Sequence, residues 1–124
     1  MDKTPAFVVS GDSILSRIEV RYQGRVAESD VQAAYEAVAA LLPLMRRGFT
    51  LLADFSGLES MELDCAPHIT KIMDACNTAG IGTVVRVVPD RRKDIGLNIL
   101  SIIHYGRGVH VLTFENSEEA KRAL

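Results

Sequence analysis

The chain has 124 residues, of which 48% are hydrophobic and 24% charged, and its formal net charge is −2. These values predict one folded domain over residues 1–124 and exclude an intrinsically disordered chain. The charge indicates no general affinity for nucleic acid or acidic membranes, and the N-terminal apolar run is too short for a signal peptide or a membrane span, so we expect a cytoplasmic protein.

The first third of the sequence predicts two strands and a helix. Residues 7–9 form a short apolar strand, and residues 11–13 form a turn. Apolar and polar residues then alternate over 14–22, which predicts a half-solvated strand at an edge or an open side of the sheet. The following helix should begin at a capping box over 29–32, and Pro43 should kink it or end it early.

Two interior strands with a helix between them are predicted next. Residues 51–53 are apolar and residues 84–88 are nearly continuously apolar, interrupted by Arg86, as in parallel strands covered on both faces. The helix over 64–79 ends at Gly80 and has one apolar face. This face contains Cys65, Ile69, Ile72, Met73 and Cys76.

The last part of the chain predicts a third helix from about Asp90 to His104, a strand over 109–114, and a short helix over 118–124 capped by Ser117. The resulting order is β-β-α-β-α-β-α-β-α. We therefore predict an α/β domain with a mostly parallel sheet of about five strands and four helices.

The two cysteines are predicted to be reduced thiols. On one continuous helix, Cys65 and Cys76 would lie about 16 Å apart, whereas a disulfide needs Cα atoms within roughly 7 Å. There is no CxxC motif and no His at ligand spacing, so we expect no metal and no cofactor. The chain also lacks a Walker loop, Gly-x-Gly-x-x-Gly, HExxH and a nucleophile elbow, which favours a protein that is not an enzyme.

The segment LLADFSGLESMELDCAPHI resembles the central signature of the STAS domain, the sulphate transporter and anti-sigma factor antagonist domain. In that family, a strand ending in an Asp-x-Ser-Gly-like segment leads to Asp-Ser-Ser-Gly-Leu at a helix start. The closing segment GVHVLTFENSEEAKRAL resembles the last strand and helix of the family. The resemblance runs from about Phe7 to Leu124 and implies a STAS-like domain.

The resemblance also implies where the family's chemistry would lie. Asp64 matches the Asp of the family's Asp-Ser-Ser-Gly-Leu segment. Cys65 takes the place of the Ser that a kinase-like anti-sigma partner phosphorylates in that family. Ala66 and Pro67 take the places of the next residue and of Gly. The chain is thus similar to a divergent member that lacks the phosphorylatable Ser.

Each residue of this corner has more than one interpretation. Asp64 is most simply an N-cap. Cys65 is either a small packed side chain or a thiol activated by the helix start, with only His68 close in sequence. Asp54, at the end of a predicted strand, either faces a ligand crevice or bonds to the backbone of Ser56 and Gly57.

A basic run, Arg91, Arg92 and Lys93, lies early in the predicted third helix, where positive charge opposes the helix dipole. It is either an ordinary solvated face or a surface for an anionic partner.

Three functions are considered, and the first of them is the one that the resemblance implies. The first is a non-catalytic regulatory module that binds a kinase-like anti-sigma factor or similar protein. The second is a domain that binds a small anionic or apolar ligand, or a lipid, and the third is a thiol-based sensor using Cys65. The alternating second strand leaves an edge that makes a homodimer plausible. The candidate partner or ligand face comprises Asp54, Ser56, Gly57, Asp64, Cys65, Ala66, Pro67, His68, Arg91, Arg92 and Lys93.

Overall fold

The computed structural model describes residues 5–88, 94–95 and 108–124, which contain a mixed sheet with helices on both faces. The sheet order is β1-β2-β3-β4-β6, with β5 beside the far end of β3. β1 is antiparallel to β2, and the other pairs are parallel. This confirms the predicted α/β fold with a mostly parallel sheet. The elements are β1 (Phe7–Asp12), β2 (Arg17–Val26), α1 (Glu28–Leu41), β3 (Thr50–Met61), α2 (Ala66–Ala79), β4 (Thr83–Val87), β5 (Asp94–Ile95), β6 (His110–Phe114) and α3 (Ser117–Arg122).

The second strand alternates as predicted but is not an edge. Ile18, Val20 and Tyr22 are buried, while the intervening Arg17, Glu19 and Arg21 remain half-exposed. β2 pairs with β1 on one side and with β3 on the other. The edge beside it is β1, so the predicted dimer edge on the second strand is wrong. The alternation arose because one face of the sheet is open here, which sequence periodicity cannot distinguish from a free edge.

The first helix begins earlier than the sequence suggested. The predicted capping box over 29–32 is wrong, because the N-cap is Ala27 and its N–H donates to the carboxylate of Asp30 at 2.9 Å. Asp30 is the third residue of the helix, and its carboxylate accepts from the otherwise unpaired N–H of the N-cap residue. The helix start is therefore stabilised without a Ser cap. The helix ends at Leu41, and a 3-10 turn over Leu42–Leu44 contains Pro43, as predicted.

The main core lies between β2, β3 and the pair α1 and α2. The buried face of α2 contains Cys65 from the preceding turn and Ile69, Ile72, Met73 and Cys76, as the spacing predicted. Gly80 ends the helix at φ 91°. On the other face of the sheet, Ala120 of α3 packs with a smaller cluster of Leu52, Val85, Val87 and Phe114. β3 and β4 are therefore interior strands, as predicted.

Two predictions about the last third need correction. Asp94 and Ile95 form a short parallel strand with Ser60 and Met61, so the predicted third helix does not include these two residues. The remainder of that predicted helix, including His104, lies outside the described residues. The terminal helix begins at Ser117, and its cap is Asn116, whose side chain accepts from the N–H of Glu119 at 2.9 Å. Asn and Ser are about equally good N-cap residues, so the sequence does not indicate which of the adjacent Asn116 and Ser117 caps the helix.

Candidate functional site

The start of α2 is preceded by a tight turn. Residues Leu63–Cys65 form a 3-10 turn, and α2 then runs from Ala66, with Pro67 in its first two positions. Pro is tolerated there because the first N–H groups of a helix have no internal partner. The prediction that Asp64 caps the helix is wrong. The N-cap position is Cys65, no side chain caps it, and the Asp64 side chain is exposed to solvent.

The turn directs the Cys65 side chain into the core. Its exposed fraction is 0%, and its Sγ lies 3.8 Å from the carbonyl oxygen of Val26, at the end of β2. The backbone N–H of Cys65 donates to the carbonyl of Glu62 within the turn. Cys65 therefore packs as a small apolar residue at the junction of β2 and α2, and a solution reagent has no access to it.

Several carboxylates surround this thiol. Burial first, and then the negative charges of Glu62, Glu28 and Asp30, raise the pKa of Cys65 to about 11. Glu28 and Asp30 belong to the first turn of α1, so the starts of the two helices meet here. The negative field opposes both thiolate formation and the binding of a small anion, although a bare helix start would favour each of them.

His68 links the two helix starts. Its Nε2 lies 3.0 Å from Oε1 of Glu28, and its side chain is only 13% exposed while that of Glu28 is 53% exposed. This contact joins the first turn of α1 to the first turn of α2 across 40 residues of sequence. The carboxylate of Glu28 thus holds the His68 ring in place.

Asp54 lies inside the sheet and not at a strand terminus, because β3 continues to Met61. It is the last residue of β3 that pairs with β4, opposite Val87. Its side chain is 1% exposed, and Oδ1 accepts from the N–H of Ser56 at 2.8 Å. Oδ2 lies 3.7 Å from Nε of Arg21. Asp54 therefore fixes an irregular part of the strand from within.

The described site residues fall into two groups. Asp64, Cys65, Ala66, Pro67 and His68 surround the start of α2, whereas Asp54, Ser56 and Gly57 lie on β3 where β4 ends. The candidate residues Arg91, Arg92 and Lys93 lie outside the described residues.

One surface residue was missed by the sequence reasoning. Leu63 is 55% exposed at the outer side of the turn, beside the exposed side chains of Glu62 and Asp64. We call the set Glu28, Glu62, Leu63, Asp64, Pro67 and His68 the helix-start surface. The sequence held one signal for it, an apolar residue between two acids directly before a helix. The contact of Glu28 with His68 joins residues that are distant in sequence, so no local sequence pattern indicates it.

The core behind this surface is nearly solid. An apolar gap of about 20 Å³ lies between β2, β3 and α2, next to Tyr22, Phe55 and Ile69. That volume holds about one water molecule. Among residues 5–88, 94–95 and 108–124, no group of three or more His, Cys, Asp or Glu side chains is placed to hold a metal ion. No helix in the same ranges has the length and apolar character needed to cross a bilayer.

The raised thiol pKa values predict a specific pH dependence. Burial raises the pKa of Cys76 to about 12, and that of Cys65 is about 11, against an ordinary value of 9.0. The unfolded chain therefore loses these protons first, so we expect the free energy of unfolding to fall as the pH rises from about 9 towards 11. Neither thiol should react with iodoacetamide at about pH 8 until urea unfolds the chain.

Urea midpoints measured across this pH range test the expectation, with Cys65→Ala as the control that should show a smaller alkaline loss. Rapid alkylation of Cys65 in the folded protein at about pH 8 would contradict it.

Known protein structures with a similar fold identify the fold of this chain. No protein-family model and no curated protein sequence matches the chain. The anti-sigma factor antagonist SpoIIAA, in its unphosphorylated form, is 13% identical, with a TM-score of 0.65 over 95% of this chain and 96% of that one. A DUF3478-family protein from Shewanella loihica with a SpoIIAA-like fold is 14% identical, with a TM-score of 0.62 over 100% and 98% of the two chains.

An anti-sigma factor antagonist from Mycobacterium paratuberculosis is also 14% identical, with a TM-score of 0.55 over 94% of this chain and 91% of that one. At such identities the likeness concerns the fold. The sequence resemblance and the sheet order β1-β2-β3-β4-β6 agree with it. The chain therefore has the STAS-like α/β fold.

Proposed function

We propose that the chain is a non-catalytic regulatory module of the cytoplasm that binds a partner protein through the helix-start surface. The observation that supports this most is Leu63, a large aliphatic side chain that is 55% exposed between two acidic residues. An exposed apolar anchor with a polar rim is the usual composition of a protein interface. The fold shared with two anti-sigma factor antagonists favours a kinase-like anti-sigma factor or similar regulator as the partner.

The charges of the surface define what the partner should offer. Glu62 and Asp64 are exposed carboxylates on either side of Leu63 in the chain, and Glu28 is an exposed carboxylate that contacts His68 at the same helix start. A complementary partner has an apolar pocket with Lys or Arg at its rim, because such an arrangement steers association and excludes acidic surfaces. The basic run Arg91–Lys93 is proposed as a further contact only on the grounds of its sequence.

The proposed binding does not use Ser phosphorylation. Position 65 has a thiol in place of a hydroxyl, and that thiol is 0% exposed. We therefore propose a constitutive interaction, or one that is controlled by a different group.

The alternative functions have weaker support. A small anion would meet the carboxylates of Glu28 and Glu62 at the helix start. An apolar ligand or lipid needs a cavity of several hundred Å³. The core gap beside Phe55 measures about 20 Å³, and the open groove of about 540 Å³ between α1 and α2 has the charged residues Lys71 and Asp74 in its lining. A thiol sensor needs an accessible thiol of low pKa, whereas the pKa of Cys65 is raised to about 11.

Site-specific photo-crosslinking in the native host tests the proposal. A photoreactive amino acid at Leu63 should capture a kinase-like regulatory protein, and the same probe at Thr78, exposed near the other end of α2, should not. With the captured regulator purified, we expect Leu63→Ser to weaken binding about tenfold, since loss of an interface anchor costs about 1–2 kcal/mol.

Thr78→Ser serves as the control variant in the binding assay. The proposal fails if the two probes capture the same proteins, or if the regulator binds Leu63→Ser as tightly as the unmodified chain.

A further inference from the structure

The turn between β1 and β2 exposes two adjacent aliphatic side chains. Ile14 is 84% exposed and Leu15 is 57% exposed. Scattered apolar residues on a surface need no explanation, but adjacent ones that form a patch mark an interaction site. A third large aliphatic side chain, Leu44, is 58% exposed in the turn that follows α1.

Hydrogen bonds place these two turns side by side. The N–H of Arg46 donates to Oγ of Ser16 at 2.9 Å, and the guanidinium of Arg46 donates to the carbonyl of Ile14 at 3.0 Å. Leu44 precedes Arg46 by two residues. We call the set Ile14, Leu15, Leu44, Arg46 and Arg47 the hairpin end.

The backbone of the hairpin end is held in one conformation. Oδ1 of Asp12 accepts from the N–H groups of both Ile14 and Leu15 at 2.9 Å. Ser16 is buried at φ 53°, and its carbonyl accepts from the N–H of Thr50 at 3.1 Å. A non-Gly residue persists at such a φ only where its surroundings fix it, so the aliphatic side chains project from a rigid support.

The charge around this patch is positive. The two segments that meet here, residues 12–17 and 42–50, contain Arg17, Arg46 and Arg47 against the single acid Asp12. The carboxylate of Asp12 is already engaged by backbone N–H groups. The chain as a whole has a net charge of −2, so positive charge is concentrated locally against the average.

We propose that the hairpin end binds the surface of an anionic phospholipid bilayer. Aliphatic side chains that enter the boundary between headgroups and acyl chains, together with basic side chains at the phosphate level, are what peripheral membrane attachment requires. Ile14, Leu15 and Leu44 supply the apolar part, and Arg46 and Arg47 supply the charge. A rigid support lowers the ordering cost of insertion.

This membrane contact is separate from the helix-start surface. β3 begins at Thr50, which bonds to the hairpin, and ends at Met61, beside the turn that leads into α2. The eleven steps between the first and the last of its 12 residues span about 36 Å at about 3.3 Å per step. A bilayer at one end would therefore leave the partner-binding surface in water.

Vesicle sedimentation with the full chain tests the proposal. We expect binding to vesicles of mixed phosphatidylcholine and phosphatidylglycerol, little binding to pure phosphatidylcholine, and weaker binding at high salt. The double variant Ile14→Ser/Leu15→Ser should bind at least about tenfold more weakly. Leu63→Ser is the matched control and should bind vesicles normally, since Leu63 lies at the opposite end and its exposed fraction of 55% is close to the 57% of Leu15.

A fluorescence measurement tests the same proposal without relying on variants that lose binding. The chain has no Trp, so Ile14→Trp introduces a single indole whose emission should shift to shorter wavelength with anionic vesicles, whereas that of Leu63→Trp should not. Absence of binding by the unmodified chain overturns the proposal, as does equal binding by the Ser double variant. A change of oligomeric state without vesicle binding also overturns it, because the hairpin end would then contact a second copy.

Discussion

Replacing Cys65 with aspartate is expected to lower the free energy of unfolding by about 3–5 kcal/mol, the range observed for an uncompensated buried charge. The new carboxylate would occupy a position of 0% exposure beside the carbonyl of Val26, which cannot donate a hydrogen bond. Glu62, Glu28 and Asp30 already place negative charge there. A negative charge at position 65 is therefore expected to destabilise the fold.

The matched control for this substitution is Ala66→Asp. Ala66 is the next residue along the chain and is half-buried at the first position of α2, so a carboxylate there keeps part of its contact with water. Urea unfolding of both variants measures the difference. Similar midpoints for the two variants, or a Cys65→Asp protein as stable as the unmodified chain, would show that position 65 reaches solvent.

The second large effect is expected from Gly82→Ala, at about 2–3 kcal/mol of stability. A Cβ atom at Gly82 would lie 2.7 Å from the carbonyl oxygen and 2.9 Å from the Cα of Gly48. Both atoms belong to backbone that is itself hydrogen-bonded, since the N–H of Gly48 donates to the carbonyl of Gly80 at 2.6 Å. The starts of β3 and β4 would have to separate to admit one methyl group.

Gly57→Ala is the appropriate comparison, because its Cβ would lie no closer than 3.3 Å to Cβ of Gln23, a side-chain atom. We expect less than about 1 kcal/mol for that change. Equal thermal midpoints for the two variants would indicate that the backbone at Gly48 yields more easily than its hydrogen bonds suggest.

Much of the fold was predictable because periodic patterns report burial directly. The alternation that ends at Tyr22, the apolar strands β3 and β4, and the apolar face of α2 all follow from residue spacing. Pro43 marked the end of α1 for a similarly local reason. The failures concern boundaries, at which several residue types satisfy the same backbone groups. The sequence predicts Ser residues at both helix starts. In the structure, Asp30 accepts from the N-cap N–H of α1, and Asn116 caps α3.

The charge and the accessibility of the candidate site could not be predicted from the sequence. A helix start suggests a positive potential, yet Glu28 and Asp30 come from α1, and their approach to Cys65 depends on how two helices pack. The burial of Cys65 depends on a 3-10 turn of three residues, for which the sequence has no distinct signal. Tertiary packing thus decided the charge and the accessibility of the site.

The 3-10 turn over Leu63–Cys65 also limits what a single substitution at position 65 can do. Cys65→Ser would place a hydroxyl where Sγ now lies, 3.8 Å from the carbonyl oxygen of Val26 and without exposure to solvent. A hydroxyl that a kinase could reach at this position would require a different turn as well as a different residue.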